Sequence, residues 1–399
     1  MTPAAAARLV TDAERRARLA TRHALAPAYR VGHVEEVSAA LVCLHATEPP
    51  SVHLGVAARS GCSVADVEES LYASRTLVKQ LAMRRTLFAF PRELLPVVWG
   101  SSSARVAEQQ RRLIAKDVEQ HGIAADGTAW LDRACAAVLD RLADGEALQA
   151  RQIREQVPEV SGRIEYALDT SYGGSAPIAP RLLTLLGAQG RIMRAENAGH
   201  WRTSRPAWAS TSTWLGSVPA PMEERPAYAE LVRRWLERFG PGTEDDVVWW
   251  LGSTKTVVRR ALADVGAVPV SLESGAGGWL LPDDLEEVAD PGEWAALLPV
   301  LDSTPMGWKA RDFYFERPLV PYLMDTNGNI GTTAWWRGEI VGGWVQDESG
   351  RVQVVLRDAP GRRALRALEA EAERLSGFVD GVVISSVYKS RLMKGEPLP

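Results

Sequence analysis

The sequence predicts an α+β fold in which a small unit, a helix-turn-helix closed by a β-wing, is used more than once ahead of a C-terminal β-rich region. Two stretches carry the repeated unit. Residues 177–206 read as helix, strand, polar turn and strand, and residues 230–281 as helix, tight turn, helix and wing, without repetition of sequence. The third observation is a run of three β segments with short turns between 330 and 356. A chain of 399 residues, 46% of them hydrophobic, has room for roughly two to four modules with substantial cores.

From the N-terminus, Val34, Val37, Leu41 and Leu44 recur at three and four and predict a helical face that stops before Glu48-Pro49-Pro50. Ser63 caps a second helix through Val64–Glu68, Leu77 and Leu81 signal a third, and Thr86–Phe90 reads as a strand. Arg181–Ala188 is helical and leads to a strand at Arg191–Arg194, the turn Glu196–Gly199 and a strand at Trp201–Thr203. Glu230–Phe239 is a helix closed by Gly240-Pro241-Gly242. Thr243 caps the next, whose acidic first turn Glu244-Asp245-Asp246 suits a helix N-terminus. That helix ends near Leu251-Gly252, Ser253 caps a further one, and Val268–Val270 and Trp279–Leu281 flank a glycine-rich turn. Ile330–Trp336, Glu339–Gln346 and Arg351–Leu356 form a meander, Pro360 opens a helix to about Leu375, and Val382–Val387 reads as a last strand.

Lys plus Arg number 46 against 50 Asp plus Glu, a formal charge of −4, which excludes a chain basic throughout. The charge is uneven, +4 over residues 1–120 and −8 over the remainder, so any DNA surface is local. Cys43, Cys62 and Cys135 lie far apart and write neither a disulfide framework nor a zinc knuckle; no metal and no organic cofactor is expected. The sequence has no apolar h-region and no span of about 20 apolar residues, which predicts a soluble, cytoplasmic protein with no membrane partner.

No GxGxxG opens a helix, and GxxxxGK[ST], HExxH and GxSxG do not occur. Ser274–Gly278 runs into Trp279-Leu280-Leu281-Pro282 rather than a helix, so it is a turn and not a phosphate loop. The segment with chemistry is Leu41–Pro50, followed by Leu54-Gly55. If His45-Ala46-Thr47 is extended, His45 and Thr47 point to one side while Ala46 turns inward, and two short polar groups on one side can hold a water. In the other reading, His45 caps the preceding helix and Thr47 satisfies a local turn. The residues alone leave both open.

Leu-His-Ala-Thr with Glu-Pro-Pro and Leu-Gly resembles the Leu-Gln-Ala-Gln-Asp-Pro and Leu-Gly pattern of the AlkZ/YcaQ-like family of tandem winged-helix bacterial DNA glycosylases. Further stretches agree in order: Arg85–Phe88, Trp235–Thr243 with Asp246 and Trp250-Leu251-Gly252, Leu297–Asp302 with Arg311-Asp312, and Gly338–Trp344. The resemblance implies tandem winged-helix modules in a C-shape. It divides the chain into a first module at 1–115 carrying the triplet, a second at 116–222, a third at 223–295, and a C-terminal β-meander and helix with a DNA-probing hairpin at 296–399. It also implies excision of alkylated bases, including bulky N7-linked purine adducts and in some members interstrand crosslinks, with a role in self-resistance to a genotoxic natural product. The family triplet is usually Gln-apolar-Gln or Gln-apolar-Asp, and His45-Ala46-Thr47 departs from it at both polar positions. N7 alkylation makes the purine cationic and a good leaving group, so a strong general acid is not needed. Neutral His45 then accepts a proton from the attacking water and Thr47 orients it.

The candidate DNA contacts are Lys79, Arg84 and Arg85 in the basic end, Arg194 and Arg202 flanking a wing, and Lys255 and Arg259 on a helix in the recognition position. Any single arginine is by default a solvated surface charge. Trp336 and Arg337 lie at a hairpin tip, where an aromatic and a cation can enter a groove, although adjacent Trp335 and Trp336 cannot both face inward. The expected partner is double-stranded DNA containing an alkylated purine, bound by a monomer. A non-catalytic winged-helix regulator or lesion sensor, and a protein-interaction scaffold, are the competing functions; steep salt dependence of DNA binding rejects the scaffold.

Overall fold

The computed structural model describes residues 8–166 and 173–399. The chain forms two compact units. The first takes residues 8–77, Ala89–Pro91 and Tyr228–Pro399, and the second the described residues of Val78–Phe88 and Arg92–Ala227.

In the first unit, helices Glu244–Leu251 and Lys255–Asp264 follow Glu224–Phe239 and close on the hairpin Val268–Leu272 and Gly277–Leu280, with Val268 opposite Leu280. This is the helix-turn-helix and wing expected for the region. Thr243 Oγ1 accepts from Asp246 N at 3.1 Å while Asp246 Oδ2 accepts from Thr243 N at 2.9 Å, a reciprocal cap, and Gly252 ends the helix in the left-handed region at φ 61. The next helix is capped by Thr254 rather than Ser253, because it is the Thr254 hydroxyl that meets Val257 N, at 3.3 Å. Leu9–Val10 adds a parallel strand beside Ser271 and Leu272.

The same unit holds a four-stranded antiparallel sheet in chain order, Ala295–Leu298, Thr333–Trp336, Glu339–Gln346 and Val352–Leu356. Arg337 and Gly338, at φ 50 and 87, make the two-residue turn between its central strands. Helix Arg362–Val379 starts two residues past Pro360. Leu368, Leu375 and Val379 pack on Leu297 and Trp344, and Leu54 and Ala57 of helix Pro49–Ala57 join the same core. Val382–Val387 is not a strand. Side chains satisfy its backbone, Gln346 Oε1 taking Ile384 N at 2.9 Å and Glu48 Oε1 taking Val387 N at 2.8 Å, so no neighbouring strand is required. Leu77–Leu81 is a strand rather than a helix. Apolar residues four apart share a face in either conformation, so the pair did not discriminate.

The second unit packs helices Ser102–Gln120, Gly127–Arg141, Ala150–Gln156 and Ala179–Ala188 around Ile114, Leu131, Leu182, Leu186 and Ile192. Its sheet runs in the order Leu148–Gln149, Pro206–Ser210, Ile192–Asn197, a second helix-and-wing unit. The second wing strand lies at Pro206–Ser210, between the other two, not at Trp201–Thr203. The Asn197 side chain claims that stretch for a longer turn, its Nδ2 donating to Thr203 O at 2.9 Å and its Oδ1 accepting from Arg205 N at 2.7 Å.

Candidate active site

Helix Val34–Ala40 ends at Leu41, and Val42 turns the chain through the left-handed region (φ 63) into the short strand Leu44–His45. Pro49 and Pro50 then open helix Pro49–Ala57 at positions where no N–H is needed. The triplet therefore lies between a strand end and a helix N-terminus. Ser303 fixes it: its hydroxyl accepts from His45 N at 3.1 Å and donates to Cys43 O at 2.8 Å. His45 is 5% exposed and Ala46 3%, whereas Thr47 is exposed.

Ser303 is held in turn by a buried ionic frame. Arg59 grips Asp302 with both arms, Nη1 to Oδ2 at 2.9 Å and Nη2 to Oδ1 at 2.7 Å, and also donates to Thr304 Oγ1, Gly55 O and His23 O. His23 completes it, with Nε2 3.1 Å from Arg238 O and Nδ1 2.9 Å from Thr304 Oγ1. A nitrogen facing a carbonyl carries the proton, so Nδ1 accepts from the threonine. Burial above all, then the Arg59 charge, holds His23 well below the usual imidazole range, and its ring is neutral.

Asp246 is fully buried and accepts from Lys309 N at 2.9 Å and Ala310 N at 2.8 Å. Trp235 donates to Gly307 O and Trp308 to Phe239 O. The separate stretches around Trp235–Gly252 and Leu297–Asp312 thus pack into one block, the scaffold behind the triplet.

Glu48, the residue after the triplet, is 6% exposed and lines a cavity of about 210 Å³ within the first unit. Neither it, Ser303 nor the Arg59–Asp302 pair was singled out from the sequence. Glu48 had a signal, a carboxylate adjoining the triplet, while Ser303 had only its place beside Leu297–Asp302.

Of the candidate DNA contacts, the structure brings Lys79 and Arg194 together in the second unit, in a notch of about 50 Å³ that Gln80, Thr184 and Trp208 also line. The Arg194 guanidinium lies over the Trp208 ring at 4.8 Å. Arg84 and Arg85 occupy a turn at φ 53 and 56, and Arg202 is exposed in the wing. In the first unit, Lys255 Nζ pairs with Asp245 at 2.7 Å and Arg259 Nε with Glu244 at 2.7 Å, both against the acidic first turn of the preceding helix. Arg337 pairs with Asp290 at 2.6 Å; Trp335 is fully buried, and Trp336 is half-buried against the sheet core. Among the described residues no group of three or more His, Cys, Asp or Glu is placed to hold a metal ion, and no helix is long and apolar enough to cross a membrane.

Helix-turn-helix units closed by β-wings, with a clamped polar triplet leading into a helix, define a winged-helix protein with a candidate catalytic site. The chain belongs to the AlkZ-like DNA glycosylase family, whose model, "DNA glycosylase AlkZ-like", matches residues 38–378. It is accordingly a DNA glycosylase, a hydrolase of N-glycosyl bonds. Among solved structures, the Streptomyces sahachiroi DNA glycosylase AlkZ is similar in fold, with a TM-score of 0.73 over 92% of this chain and 97% of that chain at 18% identity. No curated protein matches the sequence.

Proposed function

We propose that the chain is a monofunctional glycosylase that hydrolyses the N-glycosidic bond of bulky N7-alkylated purines in double-stranded DNA, acting as a cytoplasmic monomer. Water attacks C1′, the C1′–N9 bond breaks, and its electron pair neutralises the cationic purine as it leaves. His45 takes the water proton and Thr47 orients the water. The observation that carries this reading is the Ser303 clamp, which holds the backbone at His45 from both sides and so gives the triplet a defined geometry. The same reaction at a purine linked across strands unhooks a crosslink, which would serve self-resistance to a genotoxic natural product.

DNA is held in this reading by Lys79, Arg84, Arg85, Arg194 and Arg202 of the second unit and by Lys255, Arg259, Trp336 and Arg337 of the first. Support comes from the pairing of Lys79 with Arg194 in one notch and from the exposure of Arg85 and Arg202. The test is incubation with a duplex bearing a single bulky N7-alkylguanine, followed by mild alkali, alongside the same duplex treated without protein. Strand breaks at the lesion are expected; tight binding without abasic sites would instead make the protein a non-catalytic lesion sensor.

A further inference from the structure

The Glu48 carboxylate, 6% exposed, accepts from Val387 N at 2.8 Å and so ties the irregular end of the chain to the residue after the triplet. Gln346 holds the same segment, its Oε1 accepting from Ile384 N at 2.9 Å and its Nε2 donating to Val382 O at 3.0 Å. Ser386 Oγ accepts from Tyr388 N at 3.0 Å, and the segment runs on into the short turn Leu392–Lys394. Taking a carboxylate out of water costs free energy, and here it fixes a stretch in which Val383, Ser385, Val387 and Lys389 all face solvent. Val387, at 86%, is the most exposed large hydrophobic among the described residues. A segment without a partner strand is therefore held still with alternate side chains outward.

Its charge has one sign. From 382 to 395 the chain carries Lys389, Arg391 and Lys394 and no carboxylate, although residues 121–399 together carry −8. Arg391 pairs with Glu396 at 2.5 Å, whereas Lys389 and Lys394 are exposed and meet no carboxylate among the described residues. Cations interleaved with hydroxyl groups are what a nucleic-acid backbone is gripped by. Any single lysine is by default solvated, so place decides. Thr47 and Glu48 are neighbours, and one side chain plus one hydrogen bond then bound the Val387 nitrogen to within about 12 Å of the Thr47 Cα. That is about three to four steps of roughly 3.4 Å along a DNA strand. A strand whose nucleotide reacts at Thr47 passes this segment within a few phosphates. We infer that residues 385–394 form a ledge that binds the phosphates beside the reacting nucleotide, through Lys389 and Lys394. This rests on the glycosylase reading above for the place of that nucleotide, and adds contacts beyond the wings, the helix and the hairpin named there.

Two measurements on duplexes bearing a single N7-alkylguanine test it. Lys389→Ala with Lys394→Ala should weaken binding and flatten the slope of log K against log salt by up to about 1.8, at about 0.9 for each phosphate contact. Both side chains are exposed, so the variant keeps its core. Val387→Cys reports position, because the side chain it replaces is open to solvent. It should form a mixed disulfide with an activated-disulfide tether placed about two nucleotides from the lesion, and not with one placed roughly one helical turn, about 34 Å, away. Wild type, with Cys43 buried and Cys62 and Cys135 half-buried, gives the background. An unchanged salt slope, or a disulfide that fails to form or ignores the position of the tether, overturns the ledge. A flattened slope and a position-dependent disulfide, with no abasic product above that of the protein-free duplex, overturn the hydrolytic reading and leave the ledge standing.

Discussion

The Ser303 hydroxyl accepts a hydrogen bond from His45 N at 3.1 Å, from 258 positions away in the chain, and donates one to Cys43 O at 2.8 Å. One side chain therefore sets the strand that presents the triplet. Ser303→Ala removes both bonds and should cost about 2 kcal/mol of stability or more, read from urea unfolding. Its second effect should be kinetic, a loss of about tenfold in the single-turnover excision rate with affinity for lesion DNA retained, since misplacing a reacting group slows the chemistry. Unchanged excision would mean that the clamp is purely structural.

His45 and Thr47 separate under mutation. If His45 is the base, His45→Ala lowers the excision rate by about 10²-fold or more while binding stays near wild type. Thr47→Val keeps the shape, removes the hydroxyl and should cost less, because it only orients the water. Rates measured with enzyme in excess over an N7-alkylguanine duplex decide it, and wild-type excision by His45→Ala would leave His45 a structural residue of the strand Leu44–His45.

What was legible in the sequence depended on the range of the interactions. The Thr243–Asp246 cap spans three residues and is written in the chain, and so are the meander turn at Arg337-Gly338 and the helix that ends at Gly252. Leu77–Leu81 was misread because its two leucines fit both periods, and Val382–Val387 because its backbone partners are the side chains of Glu48 and Gln346, 339 and 38 positions away. The Arg59–Asp302 frame, 243 positions apart, had no local signature at all. His45 and Thr47 stand out through family resemblance rather than spacing, and Glu48, beside them, carries no local pattern that sets it apart from a solvated carboxylate although it borders the cavity.

Lys79 and Arg194 offer a test of where the DNA backbone is held. Each phosphate contact contributes about 0.9 to the slope of log K against log salt, so Lys79→Ala with Arg194→Ala should flatten that slope by up to about 1.8. Lys255→Ala with Arg259→Ala should likewise weaken binding to all sequences alike and flatten the slope, the acids Glu244 and Asp245 giving up exposed pairs that water screens. Fluorescence anisotropy across a salt series checks both, and a pair whose removal leaves the slope unchanged lies outside the interface.

The last prediction concerns His23, which is completely buried, stacked on Trp308 and tilted against Phe239, and bonded at both ring nitrogens. Burial first, then the positive charges of Arg59, Arg22 and Arg238, depress its pKa in the folded state, with only the Arg238 carbonyl acting the other way. Unfolded, the imidazole titrates near about 6.5. Above that pH neither state holds the proton and the contribution of His23 to stability is complete. As pH falls below it, the unfolded chain gains a proton that the folded one does not. Stability then drains at up to about 1.4 kcal/mol per pH unit until the folded pKa is reached. Urea unfolding of wild type and His23→Gln at pH 7.5 and pH 5 isolates the effect. Glutamine offers a donor and an acceptor without titrating, so the advantage of wild type over the variant should shrink in acid. An advantage of equal size at both pH values would mean that folded His23 takes up its proton over the same range as the unfolded chain, and that burial does not hold the ring neutral.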